Sequence, residues 1–404
     1  MVLETEQREV KFFGHNIIYY VSQVIIAIAL FAVCCRLFCM QAYEYPGALG
    51  NHVSDLPAHI RFGIEGRGYS LLYIIIGVLA RTFGYEAVCV FESVLVVLTW
   101  YCAVRLIEKV SGFYSIVSLY VSLGLIFLTT INLPGIYGFY YTGSIITQPW
   151  HNITYIAMRL FAVLTVSCFI DLYKNYPGCV RLRDYALVSI FLFLSACMKP
   201  NFLVSFSLAL LIVLIVDFAK DRRRWENLRN YVIIGSTVFP SLAVLYLQSR
   251  ILYPQGIGGG EETSGLALAW FPGFFSQGVG TTVLKLILCL AFPVIVLAMN
   301  KGGSRMDRFI VLLYLVSFAI VNLLHETGPR QNHGNFHWCI YGAGYLLFLI
   351  SASLFLKNWR EGFPEGRKSA LVYKISCAAL FACHVISGLF YFNLLLRGSI
   401  AWGI

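Results

Sequence analysis

The chain has 404 residues, 59% hydrophobic and only 12% charged, with a formal net charge of +10 and a mean hydropathy of +0.74. That balance excludes a soluble globular domain and predicts an all-α polytopic membrane protein, a single integral-membrane domain over 1–404. The basic residues are spread through short loops and form no basic–aromatic cluster, which argues for a membrane surface and against nucleic acid as partner.

A membrane helix needs about 20 apolar residues. In chain order such runs fall at 16–38, 86–107, 111–130, 153–173, 185–198, 201–218, 231–248, 279–299, 308–325, 338–356 and 370–396, which predicts about 11 transmembrane helices. No small-residue cleavage site follows the first run, so it is expected to stay as a helix. The stretch 69–83 is short and carries Arg81, and reads as a helix lying at the interface. Most of the twelve cysteines lie inside apolar runs and none forms a CxxC pair. They read as small buried hydrophobes.

Lys and Arg concentrate in 105–112, 174–184, 219–230, 300–308 and 357–369, and loop 131–152 has none. Basic loops belong in the cytoplasm. They alternate with the other loops only if 69–83 does not cross, which places the N-terminus inside and the C-terminus outside. The outer loops are then 39–85, 131–152, 199–200, 249–278 and 326–337, and they hold most of the polar chemistry.

In the first outer loop, Ser54-Asp55 before Pro57 suits a helix start, with Asp55 as its cap. The other reading of Asp55 is a general base at the membrane surface. His59, Arg61 and Glu65 follow it, and in a helix Asp55 and His59 share a face. In the next outer loop the aromatics Tyr137, Phe139, Tyr140, Tyr141 and Trp150 suit an interfacial belt or a stacking surface for sugar rings. Trp150-His151-Asn152 closes that loop; Asn152-Ile153-Thr154 matches a glycosylation sequon but abuts the bilayer. Arg159 falls inside the following span, where a cation must face a cavity, a partner or a phosphate. Lys199 sits at a helix boundary, as a snorkelling cation or a phosphate contact. The glycines Gly256, Gly258, Gly259 and Gly260 precede Glu261 and Glu262 without the lysine of a P-loop, and read as a mobile loop. The densest polar cluster runs from His325 to Trp338, with Glu326, Arg330, His333 and His337. Its spacing matches no zinc pattern, so it reads as a grip for a phosphate or sugar, or as an ordinary polar loop, and no metal is expected.

The order of elements after Asp55 resembles the GT-C glycosyltransferases. There an interfacial helix ending in a Leu-Phe-Gly string precedes a span that closes on basic residues; here Arg81-Thr82-Phe83-Gly84 precedes a span closing at Arg105. The strings Trp150-His151-Asn152 and His333-Gly334-Asn335-Phe336 are similar to those of bacterial membrane proteins of this kind. The resemblance implies a GT-C-like fold with interfacial helices in the first outer loop, in a bacterial cell membrane. It implies Asp55 as the catalytic base and a polyprenyl-phosphate sugar as donor. Many relatives carry a second acid in the next outer loop, and loop 131–152 has none.

The function expected is therefore sugar transfer to an extracytoplasmic glycan, lipid or protein acceptor, with no cofactor. Asp55 takes the catalytic role; His59, Arg61, Glu65, Trp150, His151, Arg159, Lys199, Glu326, Arg330 and His333 bind substrate. A lipid-linked-saccharide flippase is the alternative from another class, and would place charges or broken helices at mid-bilayer. A polysaccharide polymerase shares the lipid-linked substrate.

Overall fold

The computed structural model describes residues 2–44, 54–67, 70–133, 150–174, 176–252, 264–268, 279–300, 303–330, 334–362 and 367–398. His333, the aromatics at 137–141 and the glycine run at 256–260 lie outside these. In order, the helices are α1 (Val2–Cys39), α2 (Leu56–Glu65), α3 (Leu71–Phe83), α4 (Tyr85–Ser111), α5 (Ile116–Phe127), α6 (Ile153–Lys174), α7 (Leu182–Met198), α8 (Asn201–Lys220), α9 (Leu228–Ser236), α10 (Phe239–Leu252), α11 (Val279–Met299), α12 (Arg305–Leu323), α13 (His337–Glu361) and α14 (Arg367–Leu396). Among the described residues, eight helical stretches are long and apolar enough to cross a membrane. The chain is a helical membrane protein.

Helix α13 is the centre of the bundle, with 94% of its apolar window buried. It packs against α12, α4, α11 and α8. A helix apolar on every side needs neighbours on every side, and small residues such as Gly342, Ala343, Gly344 and Ala352 let them approach. Around it, α6 pairs with α7 and α1 with α4. Helix α1 turns Ile17, Val24, Ile25 and Ile28 outward, each more than half exposed. Water would oppose that face, and lipid solvates it.

Three stretches depart from the runs read in the sequence. The run at 111–130 stops being helical at Phe127, and 128–133 continues as extended chain inside the bundle. Its amides are carried by neighbours: Thr129 N donates to His384 O (3.5 Å) and Ile131 N to Leu288 O (3.3 Å), while Asn132 N donates to Ser387 Oγ (3.0 Å). The β-branched Thr129, Thr130 and Ile131 favour extended backbone, and Pro134 disfavours a helix just before it. A Cβ on Gly388 would collide with Phe127 O, so α14 comes this close because it has no side chain there. The run at 231–248 is divided between α9 and α10, which break two residues before Pro240, whose missing N–H cannot continue the ladder. Lastly, a short antiparallel ribbon pairs β1 (Gly265–Leu268) with β2 (Leu324–Thr327), with Leu266 opposite Glu326. It ties the 249–278 loop to the polar cluster that follows α12.

Candidate active site at the α2 end of the bundle

Helix α2 is held on α3 by a glycine crossing. A Cβ on Gly63 would fall 2.7 Å from Tyr73 O and 2.8 Å from Gly77 N, and one on Gly77 would strike the Gly63 carbonyl. Backbone therefore meets backbone, and the Arg81 guanidinium donates to Ile64 O across the same seam. With thirteen residues, α3 is about 20 Å long, short of the roughly 30 Å of a hydrocarbon core. The crossing sets His59 Nδ1 2.7 Å from the Tyr73 hydroxyl.

Asp55 precedes α2 and its side chain makes no capping hydrogen bond. Its backbone carbonyl accepts from His59 N (2.8 Å), and Ser54 Oγ accepts from Leu56 N (3.1 Å). The carboxylate turns instead to Asn152, whose Nδ2 donates to Asp55 Oδ2 at 2.8 Å. Asn152 is the hub. Its Oδ1 accepts from Thr154 Oγ1 (2.5 Å), from Tyr155 N in the first turn of α6 (3.0 Å) and from Lys199 Nζ (3.5 Å). Lys199 Nζ also donates to Thr154 Oγ1 (3.0 Å) and lies 4.2 Å from the centre of the Trp338 ring. These donors fix the amide's orientation, so Asn152 Nδ2 faces His59 Nε2 at 3.4 Å. The imidazole then accepts at Nε2 and donates from Nδ1 to Tyr73.

Burial sets the charge states. It lowers His59 to about 3, with the Lys199 charge adding to the effect, and pushes His151 well below the usual imidazole range. Both rings are neutral near pH 7, so the 3.9 Å approach of His59 Nε2 to Asp55 Oδ2 is a dipolar contact and not an ion pair. Burial also lowers Lys199 to about 7 against the pull of Asp55, with Arg330 lowering it further and Cys339 and Glu326 raising it. An amine lowered to about 7 thus sits within reach of both a carboxylate and a guanidinium.

On β2, Glu326 is 3% exposed. It accepts from Arg330 Nε (2.9 Å) and from Asn335 Nδ2 (2.7 Å). Asn201 at the start of α8 donates to Asn335 O (2.7 Å), which docks this cluster beside Lys199. Deeper along α6, Arg159 is 2% exposed, 5.7 Å from the Tyr155 ring and 5.1 Å from the Tyr345 ring. Tyr155 in turn meets Trp338 at 5.6 Å. Two neighbouring aromatics, Trp338 and Tyr155, thus link Lys199 to Arg159, into the bundle.

Of the residues singled out in the sequence, Asp55, His59, His151, Lys199, Glu326 and Arg330 converge, and Arg159 lies two helical turns below Asn152. Arg61 and Glu65 do not join them: both are exposed, and Glu65 pairs with Arg67 at 3.3 Å. Trp150 is buried against Phe127 and Phe392 and presents no open ring face to a ligand. His333 lies outside the described residues. Asn152 and Thr154, whose sequon match is set aside because it abuts the bilayer, are buried and form the hub; an Asn opening an apolar helix is a capping signal that marks the position. Tyr73 and Trp338 carried no such signal. Glu92 in α4, 0% exposed and with neither carboxyl oxygen hydrogen-bonded among the described residues, was hidden inside an apolar run.

Among the described residues, no three His, Cys, Asp or Glu side chains gather as metal ligands would. The arrangement pairs a half-exposed carboxylate, oriented by an amide, with neighbouring cations. It can take a proton from a hydroxyl while an anion is held beside it. No protein-family model matches the chain, and no curated protein matches it.

Proposed function

We propose that this chain is a GT-C-like glycosyltransferase of a bacterial cell membrane that moves a sugar from a polyprenyl-phosphate donor to an extracytoplasmic acceptor. The observation that carries the reading is that the Asp55 carboxylate, at a helix start, leaves the cap and is instead presented by Asn152 next to Lys199. A carboxylate oriented in this way is suited to general-base work. In the reaction the acceptor hydroxyl attacks the anomeric carbon with inversion and its proton passes to Asp55. The bond from that carbon to the phosphate oxygen breaks, and the charge on the leaving phosphate falls to Lys199 and Arg330, with Arg159 below them. In this reading the eight long stretches cross the membrane together with α7, α11 and α5, whose twelve helical residues are lengthened by the non-helical 128–133, which makes eleven, and α3 lies along the outer interface. The N-terminus is cytoplasmic and the C-terminus outside.

The test is transfer in detergent from a panel of labelled polyprenyl-phosphate sugars. Sugar-dependent turnover that disappears in Asp55→Asn is expected; no turnover with any donor by folded protein rejects the reading.

A lipid-linked-saccharide flippase is the second reading. It is favoured by the interrupted α5, after which the non-helical Leu128, Thr129 and Thr130 are buried in the bundle, and by Glu92 and Arg159 within spans. Broken helices and intramembrane charges are the marks of such carriers. Donor translocation across vesicles without transfer would establish it.

A further inference from the structure

At the opposite end of α6 a second polar recess opens, about 350 Å³ in volume, between the last turn of α6 and the first turn of α7. Its walls include Lys174, Arg181, Arg183, Asp171, Asp184 and Cys168. It is remote from Asp55: the 22 residues of α6 set Asn152 and Lys174 about 33 Å apart.

Its charges do not cancel. Lys109 of α4 reaches across and donates to Asp171 Oδ2 at 2.6 Å and to Ser167 O at 2.6 Å. Asp171 is thereby matched by a lysine that is not part of the recess wall. Three cations then face one remaining carboxylate, Asp184. Lys174, Arg181 and Arg183 are exposed, and with Asp184 and Cys168 they line one shared recess. Between the two arginines Leu182 is 79% exposed. A leucine displayed so fully between two guanidiniums suits a boundary where hydrocarbon meets charged headgroups, as arginine stems and apolar neighbours do at a lipid surface.

We propose that this recess is a binding site for a phosphate ester, and that the lipid headgroup of an acidic phospholipid is what fills it. Two arginines can fork onto phosphate oxygens, Lys174 adds a point charge, and Leu182 meets the acyl region. A basic pocket between membrane helices is the arrangement that holds such headgroups. The site is independent of the sugar-transfer reading, since it shares no residue with it.

Cys168 provides the readout. The purified full chain is placed in nanodiscs of phosphatidylcholine, with or without phosphatidylglycerol, and the rate of alkylation at Cys168 is followed by peptide mass spectrometry. Slower alkylation with phosphatidylglycerol is the expected result. In Lys174→Gln/Arg181→Gln/Arg183→Gln the protection should vanish, because each cation near a membrane contributes roughly fivefold and three together about 100-fold in affinity. The three positions are exposed, so the variant should fold, which size exclusion and an unchanged Tm verify. A parallel arm adds inorganic phosphate to phosphatidylcholine discs; equal protection there keeps the phosphate site but makes its source soluble. Alkylation of the wild-type chain unaffected by either addition overturns the proposal. So does protection that persists in the triple variant, since those cations would then not be the site.

Discussion

Asn152 Nδ2 lies 2.8 Å from Asp55 Oδ2, a hydrogen bond between residues 97 apart in the chain. It joins the segment before α2 to the start of α6, and the orientation of the carboxylate depends on it. Asp55→Asn keeps the size of the side chain and an oxygen that accepts from Asn152. The expected outcome is a normal Tm with sugar transfer lowered about 100- to 10,000-fold, the usual cost of losing a positioned base. Near-normal transfer by this variant would move the base to Glu326.

Asn152→Ala removes the acceptor for Tyr155 N, Thr154 Oγ1 and Lys199 Nζ at once. Loss of the cap costs about 1 kcal/mol; Tyr155 N keeps Asn152 O (3.1 Å) and Lys199 Nζ keeps Thr154 Oγ1 (3.0 Å), so the loss is of that order. Thermal unfolding in detergent should register a clear drop in Tm, and transfer should fall with Asp55 chemically intact. Asn152→Asp restores the acceptors but sets a second carboxylate against Asp55, so rescue of stability without rescue of activity is the expected pattern.

Gly77→Ala introduces a methyl group into the Gly63 carbonyl. Overpacking of this kind costs about 1–3 kcal/mol, and the relief available is for α2 to lift from α3, which breaks the His59–Tyr73 contact. A lower Tm and reduced transfer are expected, whereas Gly280→Ala, which meets nothing within 4 Å, should leave both unchanged. Equal behaviour of the two variants would contradict the crossing.

Lys199 gives a pH signature. Its folded pKa of about 7 lies below the ordinary 10.5, so folding releases a proton between these values. Stability from this group is fully present above pH 10.5 and is lost as pH falls to about 7. Anion binding runs the other way, because the ammonium that attracts a phosphate is depleted above pH 7. The groups that face Lys199 are Asp55, His59, His151, Glu326, Arg330 and Cys339; both histidines are already neutral here. In Lys199→Met the slope of Tm against pH between 7 and 10 should flatten, and affinity for a polyprenyl phosphate should be weak and insensitive to pH. A Tm slope the same as that of the wild-type chain would locate the titration elsewhere.

Glu92→Leu replaces a buried carboxyl that has no hydrogen-bond partner among the described residues. Removing such a group and filling its space with apolar atoms avoids a penalty of about 1–3 kcal/mol. A raised Tm is expected in detergent. If the variant instead unfolds, Glu92 has a partner in the membrane that makes its charge or hydrogen bonding necessary.

Much of this was legible in the sequence because polar residues are conspicuous in an apolar chain. Asp55, His151 and Lys199 stood out on that ground and they do converge, since helix ends on one side of a bundle necessarily meet. Hydropathy says little about hydrogen-bonding partners. It read 111–130 as one span because its residues are apolar, although the last of them are extended and bonded to α11 and α14. It also passed over Glu92, which its apolar neighbours masked. Asn152 was conspicuous, but beyond a sequon match set aside at the bilayer edge it carried no assignment, because its role depends on Asp55 and Lys199, far away in the chain. Arg61 and Glu65 lie too far around α2 from His59 to share its face.

The extended stretch after α5 also bears on how the protein is made. His384 Nδ1 and Thr129 O meet at 2.7 Å, although 255 residues separate them. Synthesis proceeds from the N-terminus, so the amides of Thr129, Ile131 and Asn132 emerge long before α11 and α14 exist to receive them. Bare backbone in hydrocarbon is heavily penalised. Until the last helix arrives, this segment must stay near the headgroups, in water or on an insertion factor. Final assembly of the bundle is thus a late event that α14 completes, and a chain cut short before α14 would insert its early helices yet leave their arrangement open.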